Sequence, residues 1–454
     1  MGLTLALRLA ERGHSVTVLE AAPQVGGLAD AWTLGEVTWD RHYHVTLESD
    51  TYLRRLLKDL GLDSAMQWVR TRTGFLVDGQ LHSLSSVVDF WRFPPLGMFD
   101  KGRLAWTIWQ ASRRKDWHRL EQVPVADWLI WHSGRRTFER IWLPLLKAKL
   151  GSAWERTSAA FIWATIQRMY AARQSGRKYE RFGYLPGGYA RTLAALRSRL
   201  ESLGVTILTG CRVQAIEPAG GKLEVQCNCG SPVRFDRVVT TLPAPVTAQI
   251  CPGLALHERK KLAAVEYLGI VCASLLLKQP LVPYYVTNIT DPTPFTGIID
   301  MTALVDPAQF GGRGLVYLPK YVTAGDAAAL QTDEQIRSEF VAALQRLLPH
   351  FSPGDVVDCR VSRVKHVFAL TTLGYSQRVP AIRTTVSGLY IVNSSQIING
   401  TLNVNETVKL AEAAVTTICE PLAPTGYSLT EPLSLAMEPR TQHEAARELV
   451  ARPG

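Results

Sequence analysis

The amino-acid sequence, 454 residues long, has no long hydrophobic run. A membrane-spanning helix needs about 18 consecutive apolar residues. The longest candidate, 268–277, contains Gly269 and stops at a Lys-Gln-Pro sequence, so we expect it to form a buried strand. The N-terminus also lacks the basic and then apolar pattern of a secretory signal. The sequence therefore predicts neither a transmembrane helix nor a signal peptide.

Common catalytic and metal-binding patterns are absent as well. The sequence contains no G-x-S-x-G, H-E-x-x-H or Walker A motif, and no CxxC pair. Cys227 and Cys229 form a CxC, but alternate residues of a strand share one face without making a tetrahedral metal site. The seven cysteines are odd in number, which in a long chain favours reduced thiols. We therefore predict no metal site and a cytoplasmic location.

The charge balance is only mildly basic. There are 50 lysines and arginines against 40 acidic residues, a formal net charge of +10. This excess fits an anionic cofactor, an anionic substrate or a negative membrane surface as well as it fits nucleic acid. No DNA- or RNA-binding motif accompanies the basic residues, so we predict no nucleic-acid partner.

The first clear motif lies at the start of the chain. Residues 2–12 have apolar side chains at helical spacing, and Gly13 can end the helix. Residues 15–20 are apolar and β-branched, as in a buried parallel strand, and end in Glu20. This order is typical of the second half of a dinucleotide-binding unit, in which the terminal acid binds the ribose of an adenosine. Glu20 follows Gly2 by 18 residues, close to the usual spacing of about 20.

This strand and the following Gly26-Gly27 pair resemble the FAD-binding opening of the amine oxidase, protoporphyrinogen oxidase and phytoene desaturase superfamily. That opening runs strand, GxGxxG, helix, strand, acid and then a glycine pair. Gly2 matches the third glycine, so the resemblance implies that Gly2, Glu20, Gly26 and Gly27 bind FAD. The first strand and first two glycines are missing, and we expect them roughly a dozen residues upstream. The alternative is a truncated chain that has lost cofactor binding.

Residues 37–50 resemble the next flavin-side segment of this superfamily. The matching residues are Asp40, His42 and His44. The same element in the related UDP-galactopyranose mutases carries a histidine beside the isoalloxazine ring. The resemblance therefore makes His44 a candidate for both cofactor binding and catalysis. Taken by itself, His44 is better explained as an ordinary core or surface histidine.

Three later residues match cofactor positions of the superfamily. Val213 matches a strand valine that contacts adenine through its main chain. Asn393 follows a predicted strand where the superfamily normally has an aspartate, and an amide can still hydrogen-bond phosphate or ribitol. Asn405 begins a predicted helix whose N-terminus would stabilise the reduced flavin. The resemblance implies that all three bind FAD.

Together these matches imply an α/β fold. They imply a Rossmann-like FAD-binding domain that is assembled from discontinuous segments. They also imply a substrate domain with a mixed or antiparallel sheet, and a helical insert. The expected segments are FAD-binding parts at 1–75, 183–245 and 371–420, the helical insert at 76–182, the substrate domain at 246–370 and a loose tail at 421–454.

The expected insert is rich in tryptophan and basic residues. Seven of the 12 tryptophans lie between Trp91 and Trp142, among basic clusters such as 113–115 and 135–136. One interpretation is core packing beneath a solvated basic face. The other is a peripheral membrane contact, in which Trp and Arg lie at the lipid headgroups and admit an apolar substrate.

The resemblance predicts an FAD-dependent oxidoreductase whose small-molecule substrate is either apolar or a sugar nucleotide. The expected reaction is dehydrogenation of a C–N or C–C bond by hydride transfer to flavin N5. One alternative is a non-redox flavin enzyme of the UDP-galactopyranose mutase type, which the paired histidines and the positive charge favour somewhat. The other alternative is a truncated, cofactor-free binding protein.

Overall fold

A computed structural model of the protein describes residues 1–171, 180–323, 325–398 and 402–421. The helices over these ranges are α1 (Gly2–Ala10), α2 (Thr51–Asp59), α3 (Val87–Arg92), α4 (Met98–Arg113), α5 (Val125–Ser133), α6 (Arg135–Thr137), α7 (Leu143–Leu150), α8 (Ala159–Ala171), α9 (Gly188–Ser202), α10 (Ala244–Ile250), α11 (Leu256–Ala263), α12 (Asp333–Leu347) and α13 (Val404–Cys419). None of these described helices is long and apolar enough to cross a membrane. The expected tail lies outside the described residues except for Pro421.

The strands over the same ranges occur singly or in runs between these helices. They are β1 (Thr17–Leu19), β2 (Ala31–Leu34), β3 (Val37–Asp40), β4 (Thr46–Leu47), β5 (Gln67–Arg70), β6 (Thr73–Val77), β7 (Gln80–Ser83), β8 (Arg181–Tyr184), β9 (Thr206–Leu208), β10 (Val213–Ala219), β11 (Lys222–Cys227), β12 (Val233–Phe235), β13 (Val238–Thr240), β14 (Tyr267–Leu277), β15 (Val286–Ile289), β16 (Gly297–Asp300), β17 (Gly314–Val322), β18 (Val356–Ala369) and β19 (Leu389–Ile391). The expectation of an α/β fold is confirmed.

Two pairs of parallel strands carry the cofactor-side motifs. β1 pairs with β9, β13 pairs with β19, and no ladder joins the two pairs within the described ranges. Helix α1 covers both pairs: Leu5 packs in a cluster with Tyr390 of β19, whereas Leu7 packs in the cluster that includes Val18 of β1. The apolar spacing that predicts this helix therefore serves two packing surfaces.

The largest sheet is mixed and has the strand order β18-β14-β17-β16-β15-β6-β7. Its neighbouring strands are antiparallel except β15 and β6. β14 is buried along nearly its whole length, as its apolar run predicts. Helix α12 packs on one face of this sheet, and β2 and β3 pack on the other. Residues 73–83, which form β6 and β7, belong to this sheet and not to the helices that follow.

Helices α3 to α8 form a layer with its own apolar core, which includes Trp128, Leu129 and Trp163. Four other tryptophans of this layer are exposed to solvent: Trp91, Trp106, Trp109 and Trp131. Core packing therefore explains only some of the tryptophans in this part of the chain. Exposure alone does not identify a partner, so the expected membrane contact gains no structural support.

A disulfide joins Cys211 and Cys229. Cys211 precedes β10 and Cys229 follows β11, and the antiparallel pairing of Val213 with Cys227 brings the two ends of this hairpin together. The expectation that all thiols are reduced is therefore wrong for this pair. The other cysteines are free.

Candidate cofactor and substrate site

A buried carboxyl group, that of Asp40, lies at the end of β3. Its Oδ1 accepts a hydrogen bond from the backbone N–H of Tyr189, at the start of α9, at 2.7 Å. Burial raises the pKa of Asp40 to about 7. Gly188 permits this contact, because a Cβ atom at that position would lie only 2.7 Å from Oδ1. The φ angle of Gly188, +65°, also favours glycine, so this turn fixes the position of the carboxyl group.

His44 is buried beside Asp40. Its Nδ1 lies 3.9 Å from Asp40 Oδ2, too far for a hydrogen bond, and has no hydrogen-bond partner among the residues described. The ring packs against Tyr189 with 5.1 Å between centroids. Burial, with a smaller contribution from the nearby His42, lowers the pKa of His44 to about 4. At neutral pH His44 is therefore uncharged and can serve as a hydrogen-bonding group.

His42 holds the segment after the glycine pair against the large sheet. Its Nε2 lies 2.8 Å from Ser362 Oγ of β18, and its Nδ1 lies 3.4 Å from the Leu28 carbonyl oxygen. Burial lowers the pKa of His42 to about 4, so this ring is also neutral at physiological pH. The contacts make His42 a positioning residue between two elements.

The predicted cofactor glycines have different surroundings. A Cβ at Gly26 would lie 2.7 Å from Leu193 Cδ1, so close packing against α9 requires glycine there. A Cβ at Gly27 would meet no atom within 4 Å among the described residues, so this side of the chain is open to a ligand. At Gly2 the nearest atom would be Thr241 Oγ1 at 3.4 Å, which places the N-terminus of α1 against the end of β13.

The predicted ribose and adenine contacts lie in one region. Glu20 follows β1, and one of its carboxylate oxygens accepts the Ala22 N–H at 2.8 Å. Its backbone carbonyl accepts the Cys211 N–H, also at 2.8 Å, which ties the end of β1 to the start of β10. Val213 begins β10 at a register shift between Val213 and Ala215. Such a bulge leaves backbone groups outside the regular ladder, where a ligand can use them.

Asn393 is almost fully buried at the end of the β19 segment. Its Oδ1 accepts hydrogen bonds from Ser395 N–H at 3.0 Å and from Ser395 Oγ–H at 2.6 Å. Its Nδ2 is buried without a hydrogen-bond partner within the described part of the chain. The amide therefore presents a donor that fits a phosphate or hydroxyl oxygen.

The side chain of Asn405 makes contacts within the protein that the sequence pattern did not indicate. Its Oδ1 accepts hydrogen bonds from Tyr52 N–H at 3.0 Å and Leu53 N–H at 3.1 Å, and thereby caps the first turn of α2. Its Nδ2 donates to Glu406 Oε1 at 3.3 Å. Both ends of the amide are therefore engaged within the protein, and the contact of the adjacent helix N-terminus with the flavin stays a prediction.

Several buried polar atoms near these residues lack a partner within the described ranges. They are Trp32 Nε1, Trp39 Nε1, Arg41 Nε, His44 Nδ1 and Asn393 Nδ2. An unsatisfied buried polar group costs about 1–3 kcal/mol, so a bound group with acceptor atoms would stabilise this region. A flavin nucleotide offers such acceptors in its phosphates, ribityl hydroxyls and ring carbonyls. The residues present therefore fit a flavin.

A cavity of about 520 Å³ lies between the helical layer and the seven-stranded sheet. Its wall is mainly apolar and aromatic, with side chains that include Phe75, Ile108, Trp142, Phe161, Met169 and Phe368. Ser394, Ile397 and Leu402, from the loop after β19, also line it. The cavity wall therefore includes the residue that directly follows Asn393 in the chain. Its mainly apolar lining suits an apolar small molecule.

Among the described residues that line this cavity, Lys149 has the one positively charged side chain. Its Nζ lies 3.7 Å from the centroid of the Tyr321 ring and 5.4 Å from that of Phe368. Cation–π contacts of this kind hold an ammonium group in place against an aromatic wall. Lys149 can therefore orient an anionic substituent of an otherwise apolar ligand.

His44 does not line the large cavity. It lines a separate cavity of about 20 Å³, shared with Asp40 and Tyr189, which has room for about one water molecule. Its position therefore offers no contact with a substrate in the large cavity, and we keep His44 as a cofactor-side residue only.

The sequence patterns did not single out the cavity residues. Their signal is weak, because apolar helices over 138–150 and 158–170 look like ordinary core elements. Lys149, a charged residue within one of these apolar helices, is the one signal in the sequence that could have indicated the cavity wall.

A nucleotide-binding region with unpartnered buried donors, beside an apolar cavity, is the arrangement of a flavoprotein oxidoreductase. A family model described as flavin containing amine oxidoreductase matches residues 2–403. The chain belongs to this family and is a flavin-dependent oxidoreductase that acts on a small molecule. Comparison of the sequence with curated proteins finds no match.

Solved structures share the fold at low sequence identity. A protein from Exiguobacterium sp. 255-15, provisionally described as a protoporphyrinogen oxidase, is 19% identical, with a TM-score of 0.72 over 92% of this chain and 96% of that chain. Putrescine oxidase bound to putrescine is 16% identical, with a TM-score of 0.66 over 92% and 96%. Reduced UDP-galactopyranose mutase is 14% identical, with a TM-score of 0.70 over 92% of each chain. These likenesses show the fold and confirm the resemblance seen in the sequence.

Proposed function

We propose that the protein binds FAD and dehydrogenates a C–C or C–N bond of a largely apolar small molecule. The apolar cavity carries this proposal, because its wall continues into the loop that follows Asn393. A substrate in this cavity would lie next to the residues predicted to hold the cofactor. When bound, the flavin would supply the hydride acceptor at N5.

The proposed cofactor residues act at separate points. Glu20 and the backbone at Val213 would hold the adenosine, Gly27 would allow close approach, and Asn393 Nδ2 would donate to a phosphate or ribityl oxygen. His44, neutral at physiological pH, would provide a further hydrogen-bonding group on this side. A nucleotide with an adenosine half uses all of these features, whereas a mononucleotide would leave Glu20 and Val213 without a ligand. The proposal is therefore FAD and not a flavin mononucleotide.

The proposed substrate residues exclude water and orient the reacting bond. The aromatic wall provided by Trp142, Phe161 and Phe368 would cover an apolar substrate. Lys149 would bind an anionic group on that substrate and so fix its direction in the cavity. The wall also contains the carboxyl group of Glu180, but hydride transfer from a C–H bond to a flavin needs no strong base.

The mutase alternative has less support. A sugar nucleotide carries two phosphates, and Lys149 is the one cation that the described cavity wall offers. Burying a pyrophosphate in an otherwise apolar cavity would be strongly unfavourable. The paired histidines lie on the cofactor side, so they do not add positive charge to the cavity.

The test uses protein expressed from its full reading frame. We expect yellow protein from which denaturation releases FAD, identified by mass. Under anaerobic conditions, apolar amines or partly saturated ring compounds with a carboxylate should bleach the flavin, and oxygen or a quinone should restore it. Colourless protein that binds no added FAD would support the cofactor-free alternative. Turnover of a sugar nucleotide that requires prior flavin reduction, without net oxidation, would instead support the mutase type.

A further inference from the structure

Three cysteines converge at the open end of the β10–β11 hairpin. The sulfur atoms of Cys211, Cys227 and Cys229 all lie within 4.8 Å of one another. Cys211 and Cys229 form the disulfide, and the Cys227 sulfur lies 3.4 Å from the Cys229 sulfur. A disulfide uses two sulfurs, so it does not account for the third.

The path of the chain explains this convergence. A CxC within a strand would share one face, but β11 ends at Cys227 and the next two residues form a turn. Asn228 holds the turn, since its Oδ1 accepts the Arg212 N–H at 2.6 Å and its N–H donates to the Arg212 carbonyl at 3.1 Å. Cys227 and Cys229 can therefore both face Cys211. The objection to a metal site drawn from strand geometry does not apply to these residues.

We propose that Cys211, Cys227 and Cys229, when reduced, form a three-thiolate site for a soft metal ion such as Zn(II). Zinc–thiolate bonds of about 2.3 Å in tetrahedral geometry separate the sulfurs by about 3.8 Å. The 3.4 Å between Cys227 and Cys229 is close to this separation. Cys229 is exposed, so the fourth position of the metal would be open to water or a small ligand.

The metal-bound and disulfide forms exclude each other. A phosphine reductant gives two electrons and is oxidised to the phosphine oxide with oxygen from water, and the two protons of that water convert the Cys211–Cys229 disulfide into two thiols. Binding of the metal then releases three thiol protons to solvent and forms three metal–sulfur bonds. In the oxidised form Cys227 is the single thiol left in this cluster, and one thiolate is too few ligands to hold zinc.

The site lies beside a cofactor-side strand. The Cys211 N–H donates to the Glu20 carbonyl oxygen at 2.8 Å, so the metal would anchor the segment that holds the end of β1. The proposal does not require that Glu20 binds FAD, because the three sulfurs and their turn belong to the β10–β11 hairpin.

The test is a metal titration of the full protein after reduction with a phosphine and removal of the reductant without air. We expect one Co(II) per chain with near-ultraviolet sulfur-to-cobalt charge-transfer absorption, and displacement of Co(II) by Zn(II). Cys227→Ser should weaken Zn(II) binding at least about 100-fold, because it removes one of three thiolates. Cys419→Ser, at a free cysteine outside the cluster, is the matched control and should bind as the unaltered protein does.

A second comparison needs no variant. Air-oxidised protein that retains the Cys211–Cys229 disulfide, mapped by peptide mass without reduction, should bind no Co(II) at this site. Equal Co(II) binding by the oxidised and reduced proteins would overturn the proposal. So would reduced protein that binds Zn(II) no more tightly than Cys227→Ser, or an equal loss of binding in Cys419→Ser.

Discussion

The cofactor side and the substrate side of this molecule are built on different principles. The cofactor side depends on single polar atoms and on close approaches, such as that of Gly188 to Asp40. The substrate side is a cavity of about 520 Å³ lined mainly by apolar side chains, none of which needs one particular partner. A polar site is specified residue by residue, whereas an apolar cavity is specified by the volume and shape that many residues enclose.

The two sides also differ in what they lose without a ligand. Buried donors such as Trp39 Nε1 and Asn393 Nδ2 have no partner among the described residues, so the free cofactor side carries an energetic cost. The wall of the large cavity contains only one such atom among the described residues, the hydroxyl oxygen of Thr371. Flavin binding should therefore stabilise the protein more than substrate binding does, and changes on the two sides should have separable effects.

The largest effect is expected from Gly188→Ala on the cofactor side. The new Cβ would lie 2.7 Å from Asp40 Oδ1 and the φ angle is +65°, so both the contact and the backbone are strained. We expect a loss of about 3 kcal/mol or more in the free energy of unfolding and loss of most bound flavin. Denaturant unfolding and flavin absorbance measure the two effects.

Gly220→Ala is the matched control for this change. Its φ angle is +59°, but a Cβ there would meet no atom within 4 Å among the described residues. It should lose only about 1 kcal/mol and keep its flavin. Equal losses in the two variants would mean that the approach to Asp40 is unimportant.

A cavity-filling change, Ala164→Trp, should have the next largest effect. Ala164 lines the cavity on α8, and an indole would occupy much of the space proposed for substrate. We expect substrate-driven flavin reduction in a stopped-flow assay to slow at least about 100-fold, about 2.7 kcal/mol in the barrier. Flavin content should not change.

Ala164→Ser serves as the control, because it changes the volume very little. It should reduce flavin at close to the normal rate. If Ala164→Trp lost flavin as well as substrate turnover, the prediction that cavity changes leave cofactor binding unaffected would be wrong.

Lys149→Met should have a smaller effect, confined to substrate recognition. It removes the cation held over Tyr321 but keeps most of the side-chain volume. For a substrate that carries a carboxylate we expect KM to rise about 10- to 50-fold with little change in kcat. The exposed Lys147, on the same helix, provides the matched control as Lys147→Met. The same rise in KM for an uncharged substrate would contradict the assigned role.

The smallest effect concerns the pH dependence of Asp40→Asn. The folded protein raises the pKa of Asp40 from 3.8 to about 7, so folding favours its protonated form. The wild-type protein therefore loses stability as the pH rises from about 4 to 7, and Asn, which does not ionise, avoids this loss. The variant should therefore gain stability relative to wild type over this range, because Asn carries no charge that burial would penalise.

Denaturant unfolding between pH 4 and pH 8 measures this difference. The Asn side chain keeps an oxygen that can accept a hydrogen bond from the Tyr189 N–H. Any purely structural effect of the substitution would change the free energy of unfolding by the same amount at every pH. A difference between the two proteins that does not vary with pH would contradict the raised pKa of Asp40.

Much of the cofactor side could be predicted from the sequence. The spacing from Gly2 to Glu20 and the Gly26-Gly27 pair indicated a nucleotide-binding unit, and the helix and the strand lie where the pattern predicts them. Local signals were sufficient here because glycine and a terminal acid act through their own backbone position. The exception is the side chain of Asn405, which caps α2 through a contact with residues about 350 positions away.

The substrate side could not be predicted to the same depth. The cavity depends on how α7 and α8 pack against β6, β15, β17 and β18, which are far apart in sequence. No local pattern records which apolar faces leave a space between them. The thiol cluster was missed for a related reason, because only the end of β11 at Cys227 shows that Cys229 can turn towards Cys211.

Helix α1 has a consequence for the order in which the chain is made. It packs on β19 and on α13, and Arg8 pairs with Glu412 at 2.7 Å, so its partners are synthesised about 400 residues later. At about 5–20 residues per second, a ribosome needs roughly 20 to 80 seconds to produce them. During that time the apolar face of the nascent helix lacks this part of its native cover. The cofactor side therefore completes its folding late in translation, and this interval is when chaperones would be most needed.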